Sequence, residues 1–147
     1  MEDSMTATAT TTGLTGTPRR RWPVWILTLT AATALPLLIW AVTDPIAGHP
    51  LVAESGGTVF HVDAGTIPIG AAVTTACGLG VAAVLNRTAR PARNWVITAA
   101  TVTVLSLPST LGGTTALTVA VLMLMHLVVG AVALVGGLRL LARLGRL

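Results

Sequence analysis

The chain has 147 residues, of which 53% are hydrophobic and only 10% are charged, and its formal net charge is +4. Soluble domains carry about 25% charged residues, so this composition excludes an ordinary soluble domain and indicates a protein dissolved in lipid. A single cysteine, Cys77, excludes an internal disulfide framework, and its apolar surroundings predict a small buried side chain rather than a reactive thiol.

The chain begins with a Thr-rich stretch, residues 1–18, which has no apolar periodicity and is predicted to be disordered. Residues 22–42, "WPVWILTLTAATALPLLIWAV", contain no charged residue, and a bilayer core needs about 20 such residues in a helix. The apolar region of a signal peptide is shorter, about 7–15 residues. A retained membrane helix is therefore predicted, with a kink at Pro36.

A polar loop follows at residues 43–66, and it holds two short β-prone runs around "ESGG" that predict a small β-hairpin. Within this loop, His49, His61 and Asp63 form a candidate divalent-metal site, because imidazole and carboxylate groups are ligands for Zn²⁺. Their spacing matches no strong metal motif, and a solvated polar loop is the alternative interpretation.

Three further apolar segments predict membrane helices at residues 67–85, 95–111 and 116–138. The third is short, and the residues beyond Pro108 are expected to complete its crossing. Residues 19–147 are thus predicted to form one all-α membrane domain, a four-transmembrane-helix bundle with a small extracytoplasmic loop.

The basic residues predict the orientation of this bundle. All of them are arginines, and they stand before the first predicted helix, between the second and third, and after the fourth: Arg19, Arg20, Arg21, Arg87, Arg90, Arg93, Arg139, Arg143 and Arg146. Four spans bring all nine to one side, and the positive-inside rule then places both termini in the cytoplasm of a bacterial cell membrane. Anionic inner-leaflet lipid is the expected partner of these arginines, so the positive charge requires no nucleic acid.

The positions of the tryptophans agree with this predicted orientation. Trp22, Trp25 and Trp95 fall at the predicted inner boundary, and Trp40 falls near the outer one. Tryptophan is enriched at both membrane–water interfaces, so the sequence predicts an aromatic belt at each boundary.

The second half of the chain is similar to a known family. The stretch "LSLPSTLGGTTALTVAVLMLMHLVVGAVALVGGLRLLAR", Leu105 to Arg143, resembles the C-terminal half of small actinobacterial four-helix membrane proteins that are classified as a domain of unknown function. The Ser-Leu turn after the third helix, "MHLVVGAV" in the fourth, the Arg-bearing inner loop and the Gly-rich second span carry the resemblance, which covers residues 19–143. It implies the four-helix fold and no particular activity.

His126 stands alone in the apolar run "LMLMHLVVG" of the fourth predicted helix. A rise of about 1.5 Å per residue puts it near the bilayer midplane, where ionisable groups are costly and face the bundle interior. Gly130, Ala133 and Gly137 lie on the same helical face, which predicts a close packing seam with a neutral imidazole in it.

Hydroxyl groups at the same depth are the expected hydrogen-bond partners of that imidazole. They belong to Thr33, Thr74, Thr75, Thr103 and Ser106. Such a bond would join two helices and contribute about 0.6–2 kcal/mol. A proton-handling or ligand-binding role is the second interpretation of His126, and a metal site, which would need several copies of the chain, is the third.

The predicted spans contain no Asp, Glu, Lys or Arg. A small four-helix multidrug antiporter would need an embedded Glu, and a hydrolase built on Ser106 and His126 would need a carboxylate to orient the base. The sequence therefore predicts a non-enzymatic interaction or scaffold protein without a cofactor, with a homo-oligomer or another membrane protein as a candidate partner. The alternative is a small transporter, channel or sensor with His126 as its intramembrane polar centre.

Overall fold

Four long helices account for most of the chain in a computed structural model that describes residues 23–144. The bounds of the helices are α1 Val24–Ala41, α2 Thr66–Leu85, α3 Pro91–Ser106 and α4 Ala116–Arg143. With their short extensions, all four are long and apolar enough to cross a membrane. The prediction of four membrane-spanning helices is thus supported, while the predicted tail, Arg19–Arg21, Trp22 and Arg146 lie outside the described residues.

The helix ends differ from the predicted ones for identifiable reasons. α3 begins at Pro91, four residues before its predicted start, because proline fits the first turn of a helix, where its missing N–H has no partner to lose. A 3₁₀ helix, Leu107–Gly112, then extends α3, as the sequence predicted for the residues after Pro108. α1 is likewise extended by a π-helical turn, Val42–Ile46.

The predicted hairpin is present in the loop between α1 and α2. Strands β1, Val52–Ser55, and β2, Thr58–His61, pair antiparallel and are joined by Gly56 and Gly57. Both glycines have positive φ angles, 57° and 79°, as a tight two-residue hairpin turn requires and as side-chain-bearing residues rarely adopt.

This hairpin is attached to the bundle by hydrogen bonds and by one buried side chain. The Thr114 N–H donates to the Val52 carbonyl at 3.0 Å, and Trp40 Nε1–H donates to the Val62 carbonyl at 2.9 Å. Leu51 is completely buried and belongs to a cluster with Val121 and Met125 of α4. The hairpin therefore closes one end of the bundle, called the hairpin end below.

A second cluster closes the opposite end. It contains Ala82 of α2, Trp95 and Ala99 of α3, and Leu141 of α4. The α2–α3 connection and the last turn of α4 meet there, so the arginines of both segments lie at one end of the bundle, the Arg-bearing end. Consequently α1 and α3 run from the Arg-bearing end to the hairpin end, and α2 and α4 run the other way.

Candidate functional site

α4 packs against its neighbours through glycines that leave no room for a side chain. A Cβ on Gly130 would overlap Thr103 of α3, and a Cβ on Gly136 would overlap Thr28 of α1. Two turns beyond Gly130, the α3–α4 contact continues at Gly137, where a Cβ would overlap the indole of Trp95. These are close backbone approaches of the kind that small residues permit in membrane helices.

The side chain of Trp95 lies inside this interface, whereas the sequence predicted that it belongs to an aromatic belt at the membrane boundary. Its side chain is only 2% exposed, and its Nε1–H donates to the Leu134 carbonyl of α4 at 2.9 Å. A buried indole N–H needs an acceptor, and the glycine at position 137 lets the ring approach the α4 backbone closely enough to reach one. Trp25, by contrast, is 52% exposed, as expected for a residue in contact with lipid.

α2 and α3 touch one another far less than either touches α4, and a cleft of about 570 Å³ lies between these three helices. Phe60 and Val62 border it at the hairpin end, and Val81 and Trp95 border it at the Arg-bearing end. Its walls are mostly apolar, and several lining side chains are exposed along the side where α2 and α3 diverge. The cleft therefore opens laterally, on the side of the bundle between α2 and α3.

Four of the predicted polar-site residues line this cleft: Thr74, Thr103, Ser106 and His126. The other two do not. Thr33 donates to the Leu29 carbonyl within α1 at 3.0 Å, and the buried Thr75 hydroxyl has no hydrogen-bond partner among the described residues. Of the predicted packing residues, Gly130 and Ala133 also line the cleft.

The hydrogen bonds of the polar groups are local to each helix. His126 Nδ1 lies 2.8 Å from the Leu122 carbonyl, one turn earlier in α4. Thr103 donates to the Ala99 carbonyl at 2.8 Å, and Ser106 donates to the Thr103 carbonyl at 2.7 Å. Four of the six predicted residues thus line one cleft. Thr103, Ser106 and His126 bond to backbone carbonyls of their own helices, whereas the sequence predicted a hydroxyl–imidazole bond between helices.

Two features of the cleft were not found from the sequence. Cys77, expected to be buried, is exposed and lines the cleft. Phe60 of the hairpin, which the sequence analysis did not consider, borders the hairpin end of the cleft. The exposure of Cys77 follows from the divergence of α2 from α3, for which the apolar pattern of the two helices contains no signal.

The predicted loop metal site is not assembled. Among residues 23–144, no three His, Cys, Asp or Glu side chains lie together as a metal site requires. Asp63 Oδ1 instead accepts the backbone N–H groups of Gly65 and Thr66 at 2.7 and 2.9 Å, and so caps the start of α2. These two hydrogen bonds hold the pKa of the Asp63 carboxyl below its usual value. The bond from Thr66 contributes most, and the bond from Gly65 contributes next. His49 and His61 are exposed.

The search of curated proteins and the search of solved structures gave no match. Comparison with protein families did give one, the family of unknown function DUF6069, and the match extends over residues 16–143. That range includes the whole bundle, the hairpin and every residue that lines the cleft. The chain therefore belongs to the DUF6069 family.

Proposed function

We propose that this protein is a multi-pass protein of the bacterial cell membrane that acts without catalysis, by binding a partner inside the bilayer through the cleft between α2, α3 and α4. The volume of the cleft, about 570 Å³, carries this proposal. Pockets that hold ligands measure about 300–1,000 Å³ and are mostly apolar with a few polar groups. The sideways opening supports entry of the partner from the lipid phase.

The hydrogen bonds in the cleft favour binding over hydrolysis. A serine nucleophile needs a base that takes its proton, and the base needs a third group to orient it. The Ser106 proton is directed to the Thr103 carbonyl, and the His126 ring is bonded to the Leu122 carbonyl. In this arrangement neither group activates the other.

One observation favours the second candidate function, a transporter, channel or sensor: the ionisable His126 lines the cleft. Intramembrane ionisable residues commonly belong to ion or substrate pathways. The Arg-bearing end of the cleft, however, is bordered by Trp95, whose indole packs against the α4 backbone at Gly137. This boundary supports a binding site in preference to a continuous pathway.

The Arg-bearing end supports a proposed orientation with both termini in the cytoplasm. Arg87 and Arg90 of the α2–α3 connection and Arg93 in the first turn of α3 lie at the same end as Arg139 and Arg143. The last two also border a groove between α1 and α4 that is otherwise lined mainly by apolar residues. Anionic inner-leaflet lipid is the partner that this pattern of charge next to apolar surface favours over nucleic acid.

Flux measurements distinguish the two candidate functions. Purified protein in liposomes under a pH gradient should give no proton flux above that of protein-free liposomes, for both the wild type and His126→Ala. A pH-driven flux that the wild type supports and His126→Ala abolishes would contradict the binding function and favour the transporter.

Accessibility measurements test the orientation. The Cys77→Ser background allows one new cysteine to be placed at Glu54, an exposed residue of β1. A membrane-impermeant maleimide should label Glu54→Cys from outside intact cells and should label Arg90→Cys, in the α2–α3 connection, only after lysis. The opposite labelling pattern would overturn the proposed orientation.

A further inference from the structure

Three polar residues that line the cleft, Thr103, Ser106 and His126, share one hydrogen-bonding character. A backbone carbonyl can only accept, so the short Nδ1 contact with Leu122 requires the proton of a neutral His126 ring to be on Nδ1. Nε2 is then an acceptor, and within residues 23–144 no donor is bonded to it. Thr103 and Ser106 also use their hydroxyl protons on carbonyls, which leaves their oxygens as acceptors.

A second property of the cleft is that its lining contains no charged side chain in the part of the chain that the structure describes. A ligand cation would have no carboxylate to neutralise it, and a ligand anion would have no arginine. Unpaired charges are expensive in an apolar environment. Acceptors without charge therefore fit a neutral ligand that donates a hydrogen bond, and the hydroxyl group is the simplest such donor.

The shape of the cleft limits the rest of the ligand. The α2 residues that line it extend from Thr66 to Val81, about 22 Å at the rise of a helix. A mostly apolar cleft of that length, with a volume of about 570 Å³, accommodates one extended hydrocarbon chain.

We propose that the cleft binds a neutral, single-chain lipid with a free hydroxyl group, which donates to Nε2 of His126 while the chain lies along the apolar wall towards Trp95. The proposal rests on the proposed binding function and names the chemistry of the partner. His126 lies one turn beyond Leu122, the α4 residue that begins the cleft at the hairpin end. The hydroxyl would thus be bound in the half of the cleft nearest the hairpin, with most of the apolar wall left for the chain.

The first experiment compares two probes that differ only in the hydrogen-bond donor. Binding of radiolabelled 1-tetradecanol and of its methyl ether is measured by retention on the full-length protein in phosphatidylcholine nanodiscs, with protein-free nanodiscs as the blank. The alcohol should bind about 3- to 10-fold more tightly, the factor expected for one hydrogen bond in a membrane protein. Equal affinity for the two probes, or no binding of either, would overturn the proposal.

His126→Ala should reduce the alcohol-to-ether ratio to about one. Thr33→Val is the matched control, because it removes a hydroxyl that bonds within α1 and does not line the cleft. The ratio of this control should stay at the wild-type value. A purely structural role of His126 would leave the alcohol-to-ether ratio unchanged in His126→Ala. An unchanged ratio would therefore contradict the assignment of His126 as the acceptor.

A pair of glycines on α2 tests the position of the ligand without removing a polar group. A Cβ at Gly70 or at Gly80 would meet no atom within 4 Å, but only Gly70 lines the cleft. Gly70→Leu should therefore abolish retention of the alcohol, and Gly80→Leu should not. Since a Cβ at either position meets no atom within 4 Å, both variants are expected to fold, and equal retention by the two would place the ligand elsewhere.

The single cysteine distinguishes this proposal from a second copy of the chain as the occupant. Cys77 lines the cleft, so two copies docked there would form a Cys77–Cys77 disulfide under mild oxidation. We expect monomeric protein under these conditions, and efficient disulfide dimerisation would overturn lipid binding while leaving the broader interaction function intact. A His126-dependent proton flux would instead contradict the interaction function itself.

Discussion

The bundle has two contrasting regions. In one, α4 packs closely against α1 and α3, and in the other, α2 diverges from α3. In the first, Gly130, Gly136 and Gly137 lie directly against side chains of neighbouring helices. In the second, Gly70 of α2 lines the cleft and faces open space, as does Gly80 of the same helix outside the cleft. The comparison shows that glycine in a membrane helix has two different uses: it allows close packing in one region, and in the other it contributes to an opening, as Gly70 does.

Gly137→Ala should be the most damaging of the substitutions that test this contrast. The added methyl group overlaps the buried indole of Trp95, and overpacking of this kind costs about 1–3 kcal/mol of unfolding free energy. Steric trapping in bicelles measures that free energy. Gly80→Ala is the control, and it should be neutral or stabilising by up to about 1 kcal/mol, because alanine favours the helix. Equal costs for the two would remove the distinction between the regions.

Trp95→Phe tests the hydrogen bond in the closed region. Loss of the bond to the Leu134 carbonyl should lower the unfolding free energy by about 0.5–1.5 kcal/mol, and the smaller ring lowers it further because buried contacts are lost. Trp25→Phe changes the same atoms at a side chain that is 52% exposed and should have a smaller effect in the same measurement. A larger effect at Trp25 would show that the bond contributes little.

Asp63 tests how firmly α2, one wall of the open cleft, is anchored. Its pKa is lowered in the folded state, so its ionised form stabilises the fold above the unfolded pKa of about 4, and this contribution is lost as the pH falls through the folded pKa. The melting temperature of the wild type should therefore fall on acidification more than that of Asp63→Ala. Asp63→Asn, which keeps an acceptor for the N–H groups of Gly65 and Thr66, should be more stable than Asp63→Ala at pH 7. Identical acid profiles for Asp63→Ala and the wild type would contradict this.

Val102→Ala should have the smallest effect of these substitutions. Val102 lines the cleft and is 55% exposed, so its truncation should change the unfolding free energy by less than about 0.5 kcal/mol. Val121→Ala is the matched control at a side chain that is 9% exposed in the hairpin-end cluster, and it should cost more. A cost above about 1 kcal/mol at Val102 would mean that the cleft is closed in the membrane.

How much of the structure could be predicted from the sequence depends on whether the sequence signal is local. Four uncharged stretches predicted the four helices, and "ESGG" between β-prone runs predicted the hairpin, because both signals are local. The hydroxyl partners of His126 were predicted from depth alone, and three of them, Thr74, Thr103 and Ser106, line one cleft with it. Depth does not specify which way a helix is rotated, and Thr33 and Thr75 therefore lie outside it.

The sequence by itself determined the number of helices that are long and apolar enough to span a membrane and the clustering of the described arginines at one end, because length and charge depend only on order along the chain. Only the tertiary structure decided that Trp95 lies inside the bundle, that Cys77 is exposed and that His126 bonds to its own helix. The physical reason is that apolar side chains face either lipid or protein at similar cost. The rotation and separation of the helices are set by how their surfaces fit, and not by the hydrophobic pattern of each helix.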